Sequence, residues 1–377
     1  MKVAITHDWF ASYGGGERLV AELHQMFPDA PIYTAIYDPN RVPPHVREWD
    51  IRPSFIQKIP FSKGRHQLFL PLMPMAFEQF DLSGYDLVIT SSTACAKGVI
   101  TNPGTLNLCY CNTPCRYIWD QYHDYTRKHR AKALIAPIAH WLRLWDRLSS
   151  DRVDHFIANS NEVAQRIRRH YRRESEVIYP PVDVERITPN GRDPEDFYLV
   201  VGRLVPYKRV DLAVEAANRL GKRLLVVGEG TELKRLQALA GPTVEMLGWR
   251  SDEEVADLLA RCRAFLFPGW EDFGISAVEA QAAGRPVIAY ARGGALETVV
   301  DGKTGVFFET QTVDAVAEAM QRADRIGFDP QVCRRNAERF EAAQFRRRII
   351  ATVERQVQLM RGAGAGSRET ADYRESA

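Results

Sequence analysis

Short apolar runs rich in Val, Ile, Leu and Phe recur at 3–6, 32–37, 87–90, 106–110, 156–158 and 177–179, and segments with helical spacing of apolar residues separate them, the first over 16–27. A second series begins at 198–201 and continues at 224–227, 244–247, 264–267, 287–290 and 305–308, each run followed by a helix-length segment. Strand and helix alternating this often predict parallel sheets covered by helices. Between the series lie Pro180-Pro181 and the polar stretch 188–196, a stiff and solvated connection that puts a domain boundary near residue 182. The expected fold is α/β: two Rossmann-like, doubly wound parallel-sheet domains, 1–182 and 183–342, facing each other across a cleft where ligands bind beyond the strands' carboxyl ends. A basic amphipathic helix over 343–360 is expected to pack back on the N-terminal domain, and the small, polar residues 361–377 to form a disordered tail.

Composition narrows the classes. With 45% hydrophobic and 26% charged residues the 377-residue chain is globular rather than disordered. Fifty Lys and Arg against 48 Asp and Glu leave a formal charge of +2, so no global field selects nucleic acid, which is not expected as a partner. Three of the six cysteines crowd at Cys109, Cys111 and Cys115. Their spacing matches neither a stapled secreted domain nor, with His123 as a fourth ligand, the paired ligands of structural zinc; a reducing cytoplasm is expected. The N-terminus reaches His7 and Asp8 before any apolar core of signal-peptide length, so no export is expected. The longest uncharged stretch, 98–115, is interrupted by Asn, Thr, Gly and Pro, which forbids a spanning helix of about 20 apolar residues.

The densest chemistry lies at 268–284, where the run leaves an apolar strand and enters a helix. Glu271 falls in the loop and Glu279 in the helix, while the amides near Gly274 and Ile275 form a helix N-terminus able to hold an anion. Carboxylates beside an anion site fit a ligand that is anionic in its middle and carries hydroxyls at both ends, the shape of a nucleotide-sugar. The strand at 198–201 runs into Gly202-Arg203, with Lys208 five residues on, so two cations stand at a carboxyl end in the same domain. Alone, each feature reads as a solvated helix start or a basic turn; their joint placement points to a diphosphate.

Arg203 with Lys208, then E-D-F-G-I-S-A-V-E at 271–279 and A-x-A-x-G-x-P-V-I-A at 280–289, resembles the retaining family 4 glycosyltransferases of the GT-B fold, over residues 1 to about 355. The resemblance implies that Gly202, Arg203 and Lys208 bind the donor diphosphate. It further implies that Glu271 and the amides of Gly274 and Ile275 hold the transferred sugar, that Glu279 holds the ribose hydroxyls, and that Phe273 is a donor contact. Gly14-Gly15-Gly16 after the first strand would let backbone approach the donor, with Gly15 and Gly16 as contacts. There is no G-x-G-x-x-G, no P-loop and no Asp-x-Asp clamp, so a metal-independent transfer without a resident cofactor is expected.

Residues 110–120, Tyr-Cys-Asn-Thr-Pro-Cys-Arg-Tyr-Ile-Trp-Asp, resemble the H-T-P-x-R-Y-x-W-D run of a bacterial subgroup in polysaccharide assembly, often with GDP-mannose. Asn112 stands where the subgroup has a sugar-contacting His; it can donate and accept hydrogen bonds but does not titrate near neutrality. Arg116 is a candidate for an acceptor phosphate, with a surface arginine at a helix start as the alternative. Between Arg127 and Arg147 six Lys and Arg face Asp146, and Ile138, Trp141, Leu142, Trp145 and Leu148 recur at helical spacing. Such a helix lies on anionic lipid or packs on the core.

The expected activity is therefore retaining transfer of a sugar, best mannose from GDP-mannose, to a polyprenyl-diphosphate-linked glycan, with Asn112, Arg203, Lys208 and Glu271 at the chemistry. The place is the inner face of the plasma membrane, with the protein cytoplasmic or peripheral. The alternatives are a nucleotide-sugar epimerase of the same fold and a non-catalytic nucleotide-sugar sensor or membrane scaffold.

Overall fold

The computed structural model describes residues 1–64, 66–126, 132–189, 191 and 193–375. It divides the chain into two compact units, Met1–Tyr179 with Phe345–Ala377, and Pro180–Gln344.

In the first unit the strands are β1 (Val3–His7), β2 (Ile32–Thr34), β3 (Ile51–Pro53), β4 (Leu87–Ser92), β5 (Leu106–Cys111), β6 (His155–Ala158) and β7 (Ser175–Val177). They form one parallel sheet in the order β3-β2-β1-β4-β5-β6-β7. The second unit has β8 (Tyr198–Val201), β9 (Leu224–Val227), β10 (Val244–Gly248), β11 (Ala264–Phe267), β12 (Val287–Tyr290) and β13 (Gly305–Phe308), parallel in the order β10-β9-β8-β11-β12-β13. Central strands such as β4 and β5 are buried along their whole length, which is why they read as continuous apolar runs. In both sheets the strand order reverses beside the first strand, between β1 and β4 and between β8 and β11, and ligands of such sheets bind at the carboxyl ends there.

Two elements differ from the sequence expectation. β3 was not foreseen, because Ile51-Arg52-Pro53 has one aliphatic residue and a proline that only an edge strand accommodates. The C-terminal helix does not end near residue 360 but runs Ala342–Glu375, the alanines, arginines and glutamates after 360 carrying helix propensity between the glycines. At its start, Phe345, Ile349 and Val353 are buried in the same cluster as Ile5, Leu108, Tyr110 and Ile178, with the Tyr110 and Phe345 rings edge-on at 5.8 Å. Burying each such side chain contributes on the order of 1.5–3 kcal/mol.

The helix Lys132–Ser149 packs on the core along one face and leaves a second apolar face exposed. Ala139 and Leu142 are buried in the first unit's core, whereas Ile138, Trp141, Leu144 and Leu148 are exposed along another face. Arg127, Lys128 and Arg130 of the basic run lie outside the described residues. On the buried face Asp146 pairs with Lys97 at 2.5 Å and accepts from Trp119 Nε1 at 2.7 Å, all but shut off from water.

Candidate functional site

In the second unit β8 ends in Gly202, whose φ of +152° and closeness to Lys208 Nζ, 3.1 Å from where a Cβ would stand, demand glycine. A short 3-10 turn, Pro206–Lys208, follows, and Lys208 folds back over Gly202. From the neighbouring strand β11 the loop 268–274 approaches closely enough that a Cβ on Gly269 would meet the Lys208 Cα at 2.8 Å. The two loops are closed by an ion pair, Lys208 Nζ to Glu271 Oε1 at 2.6 Å, with the side chains 14% and 18% exposed. Arg203 is exposed on the same turn and donates to the Tyr207 hydroxyl at 3.4 Å.

Gly274 caps the helix Ile275–Ala282 with a left-handed φ of +93°, and a Cβ there would stand 2.6 Å from the Phe267 ring. The Ala277 N–H donates to the Gly274 carbonyl at 3.0 Å, while helix geometry gives the amides of Gly274 and Ile275 no acceptor within the helix. Phe273 is buried edge-on against Phe340, 5.3 Å between ring centres, so its side chain holds the loop instead of lining an open site. One turn beyond Ile275, Glu279 is half-buried and its Oε1 lies 3.3 Å from Arg186 Nη2. The structure thus brings Gly202, Lys208, Glu271, Gly274 and Ile275 to the switch between β8 and β11, with Arg203 on the same turn and Glu279 on the following helix.

In the first unit Gly14 caps the helix Gly15–Met26, and its N–H donates to Glu17 Oε2 at 2.8 Å. Gly16 lies against His7, with a Cβ position 3.6 Å from the ring. His7, at the end of β1, is buried; its Nδ1 is 3.3 Å from Ser91 Oγ and its Nε2 3.8 Å from Glu17 Oε1. Asn112, just past β5, donates through Nδ2 to the same Ser91 Oγ at 3.1 Å, and its backbone carbonyl accepts from Asn159 Nδ2 at 2.8 Å. Adjacent strand ends therefore join Gly16, His7, Ser91 and Asn112. Asp8, also buried, accepts from the amides of Thr93, Ala94, Cys95 and Ala96 and pins the loop after β4.

Arg116 is half-buried in the loop after Asn112. Farther along that loop Asp120 accepts from His170 Nε2 at 3.0 Å and pairs with Arg166 at 3.3 Å; the His170 hydrogen bond holds its carboxyl below the usual range. Burial pushes the thiols of Cys95, Cys109 and Cys115 up, so they behave as small core residues. Among the described residues no cluster of three His, Cys, Asp or Glu is arranged to hold a metal ion, and no helix is long and apolar enough to cross a membrane.

Sequence reasoning missed His7, Glu17, Ser91 and Arg186. The first two flank the glycine run and could have been found from it; Ser91 and Arg186 act through pairings distant in sequence, which no local spacing announces.

Two family models match in succession, "Glycosyltransferase Family 4" over residues 13–186 and "Glycosyl transferases group 1" over residues 184–340. An uncharacterized glycosyltransferase of Methanocaldococcus jannaschii is 29% identical over 195 residues, 50% of this chain and 55% of its own length. A GDP-mannose-dependent alpha-mannosyltransferase of Mycobacterium tuberculosis is 35% identical over 160 residues, 38% of this chain and 42% of its own. The chain thus spans about half the length of the curated relatives it matches. Among solved structures, Anabaena HepE in complex with UDP and glucose shares the fold with a TM-score of 0.71 at 18% identity, over 94% of this chain and 99% of that one. Sucrose-phosphate synthase from Thermosynechococcus elongatus does so with 0.71 at 19% identity, over 95% and 100%.

Proposed function

The chain belongs to the family 4 glycosyltransferases of the GT-B fold, and from that premise we propose that it transfers a sugar from a nucleoside diphosphate donor to a lipid-linked saccharide with retention of anomeric configuration. The observation that carries the proposal is the closed pair of loops at the β8 and β11 ends, where Lys208 and Glu271 meet over Gly202 next to the Gly274-capped helix. Lys208 and Arg203 meet the donor's phosphates, and the first-turn amides at Gly274 and Ile275 add the positive end of a helix dipole. Glu271 accepts from hydroxyls of the transferred sugar, and Glu279 from those of the ribose.

As the bond between anomeric carbon and phosphate lengthens, negative charge grows on the leaving diphosphate, and donors already in place stabilise it without rearrangement. The acceptor hydroxyl adds on the face the phosphate leaves, and its proton passes to a phosphate oxygen. No side chain need act as nucleophile, and the countercharge comes from Lys208, Arg203 and backbone amides without a metal. Asn112, its side chain steadied by Ser91 and its backbone by Asn159, offers neutral hydrogen bonds to the sugar.

Mannose from GDP is the favoured donor; the Mycobacterium tuberculosis relative and the run Asn112–Asp120 support it. A polyprenyl-diphosphate glycan in cell-surface polysaccharide assembly is the favoured acceptor, taken up at an anionic inner membrane face with Arg116 near its phosphate. The exposed stripe Ile138, Trp141, Leu144 and Leu148 supports a membrane-facing role.

A thermal-shift screen against GDP-, UDP-, ADP- and dTDP-sugars tests the donor site, since a ligand that binds the folded state raises its stability. A shift with GDP-mannose and transfer to a polyprenyl-diphosphate acceptor are expected. No shift with any donor refutes the proposal, and conversion of the donor without acceptor would replace transfer by epimerisation.

A further inference from the structure

Glu279 does not stand alone on its helix. Arg186 reaches it from a segment of chain distant in sequence, and that segment is itself pinned. Val182 N–H donates to the Phe340 carbonyl at 2.9 Å, and Arg334 Nη1 donates to the carbonyls of Val184 and Ile187 at 2.6 Å each. The same Arg334 nitrogen reaches the carbonyl of Ala282, on the Glu279 helix, at 3.2 Å. From this backbone the Arg186 guanidinium forks, Nη2 toward Glu279 Oε1 at 3.3 Å and Nη1 to the Asp252 carbonyl at 2.8 Å, at the start of the helix that follows β10. Its Nε faces Asp183 Oδ2 at 3.6 Å. The Arg186 side chain is 22% exposed and that of Glu279 13%, so the pair is largely shielded from water.

We propose that Arg186 is a positioning residue for the donor: its fork holds the Glu279 carboxylate in the one orientation that reads the ribose hydroxyls. This inference rests on the donor-site reading of the second unit. Two physical consequences follow from the geometry. A glutamate side chain has three rotatable bonds, and a planar guanidinium anchored at both ends removes most of that freedom before the ribose arrives. The cation also offsets a carboxylate that would otherwise repel a neighbouring diphosphate, and a carboxylate has enough lone pairs to accept from a guanidinium and from hydroxyls together.

The test is isothermal titration with the nucleoside diphosphate that binds best, as its ribose form and its 2′,3′-dideoxy form, against wild type, Arg186→Met, Glu279→Ala and the double variant. Methionine keeps the apolar stem and removes every donor. The wild type is expected to prefer the ribose form by about tenfold or more, because unpaired polar groups are left behind when hydroxyls are missing. Arg186→Met is expected to shrink that preference below about threefold and to raise the donor KM with kcat within about twofold; the double variant should bind no worse than Glu279→Ala, since both changes remove one interaction. A full ribose preference in Arg186→Met, or additive losses in the double variant, overturns the role of Arg186 while leaving the donor site standing. A full preference in Glu279→Ala, or no nucleotide bound by the wild type, overturns the donor-site reading and this inference with it. Equal melting temperatures for wild type and Arg186→Met are the control, and where that variant melts early, Arg186→Lys is read by the same ribose preference, with retention of the full wild-type value again overturning the role.

Discussion

Replacing Lys208 by alanine separates its two roles by magnitude. Lys208 Nζ sits 2.6 Å from Glu271 Oε1, with side chains 14% and 18% exposed. Exposed pairs contribute about 0–1 kcal/mol, and breaking a fully buried pair costs about 3–5 kcal/mol. With water reaching about a sixth of each side chain, a loss of about 2 kcal/mol in unfolding free energy is expected, most of it from Glu271 left without its cation. Because that cost belongs to the orphaned carboxylate, Lys208→Ala with Glu271→Ala should recover about 1 kcal/mol over the sum of the single changes. Transfer follows a different ledger: the donor diphosphate loses a charge-assisted hydrogen bond of about 1.5–3 kcal/mol, so kcat/KM for the donor should fall by about 10- to 150-fold. Urea unfolding gives the first number and initial rates of nucleoside diphosphate release at low donor give the second. A variant that loses stability as expected yet keeps kcat/KM within about twofold of wild type would show Lys208 to be a strut between two loops and nothing more.

Other perturbations follow from geometry already described. Gly274→Ala must adopt a left-handed φ and push a methyl to within 2.6 Å of the Phe267 ring, so a loss above about 2 kcal/mol is expected in denaturant titration. Asn112→Ala should lower transfer by about tenfold with little change in melting temperature, since only one half-buried side-chain hydrogen bond, to Ser91, is lost; equal rates would remove Asn112 from the site. Lys97→Met strands Asp146 in the core and should cost about 3–5 kcal/mol, partly recovered by adding Asp146→Asn, read by thermal melts. Asp120 has a depressed folded-state pKa, so its contribution is full above the ordinary carboxylate range and is lost as pH falls through the lowered value. The melting temperature of Asp120→Asn should therefore differ from wild type while the carboxylate is charged, the difference shrinking below about pH 4; a gap that keeps growing below that pH contradicts the pairing with His170.

Features carried by local spacing could be read from the chain; those carried by encounters between distant segments could not. The alternation of β-branched runs and helical segments announced both sheets because central parallel strands are buried on two faces and must be apolar throughout. Glu271 and Glu279 were legible as a pair because one loop and one helix present them. Lys208 was legible as a cation at a strand end, yet its closure onto Glu271, 63 residues away, depends on a reversal of strand order that no window of sequence displays. β3 escaped because an edge strand ending in proline leaves no periodic trace. The cage of amides around Asp8 escaped because its donors come from backbone, to which side-chain identity gives no clue.

The return of the last helix has a consequence for synthesis. Phe345, Ile349 and Val353 complete a core whose other members include Ile5, Leu108, Tyr110 and Ile178, so one folding unit brackets the other along the polypeptide. During translation the strands of the first sheet emerge early but must wait for the whole intervening unit before their last apolar cover leaves the ribosome. A chain released at residue 344 would carry every residue of the second unit but a first unit with Tyr110 and its neighbours stripped of that cover, a natural substrate for chaperones.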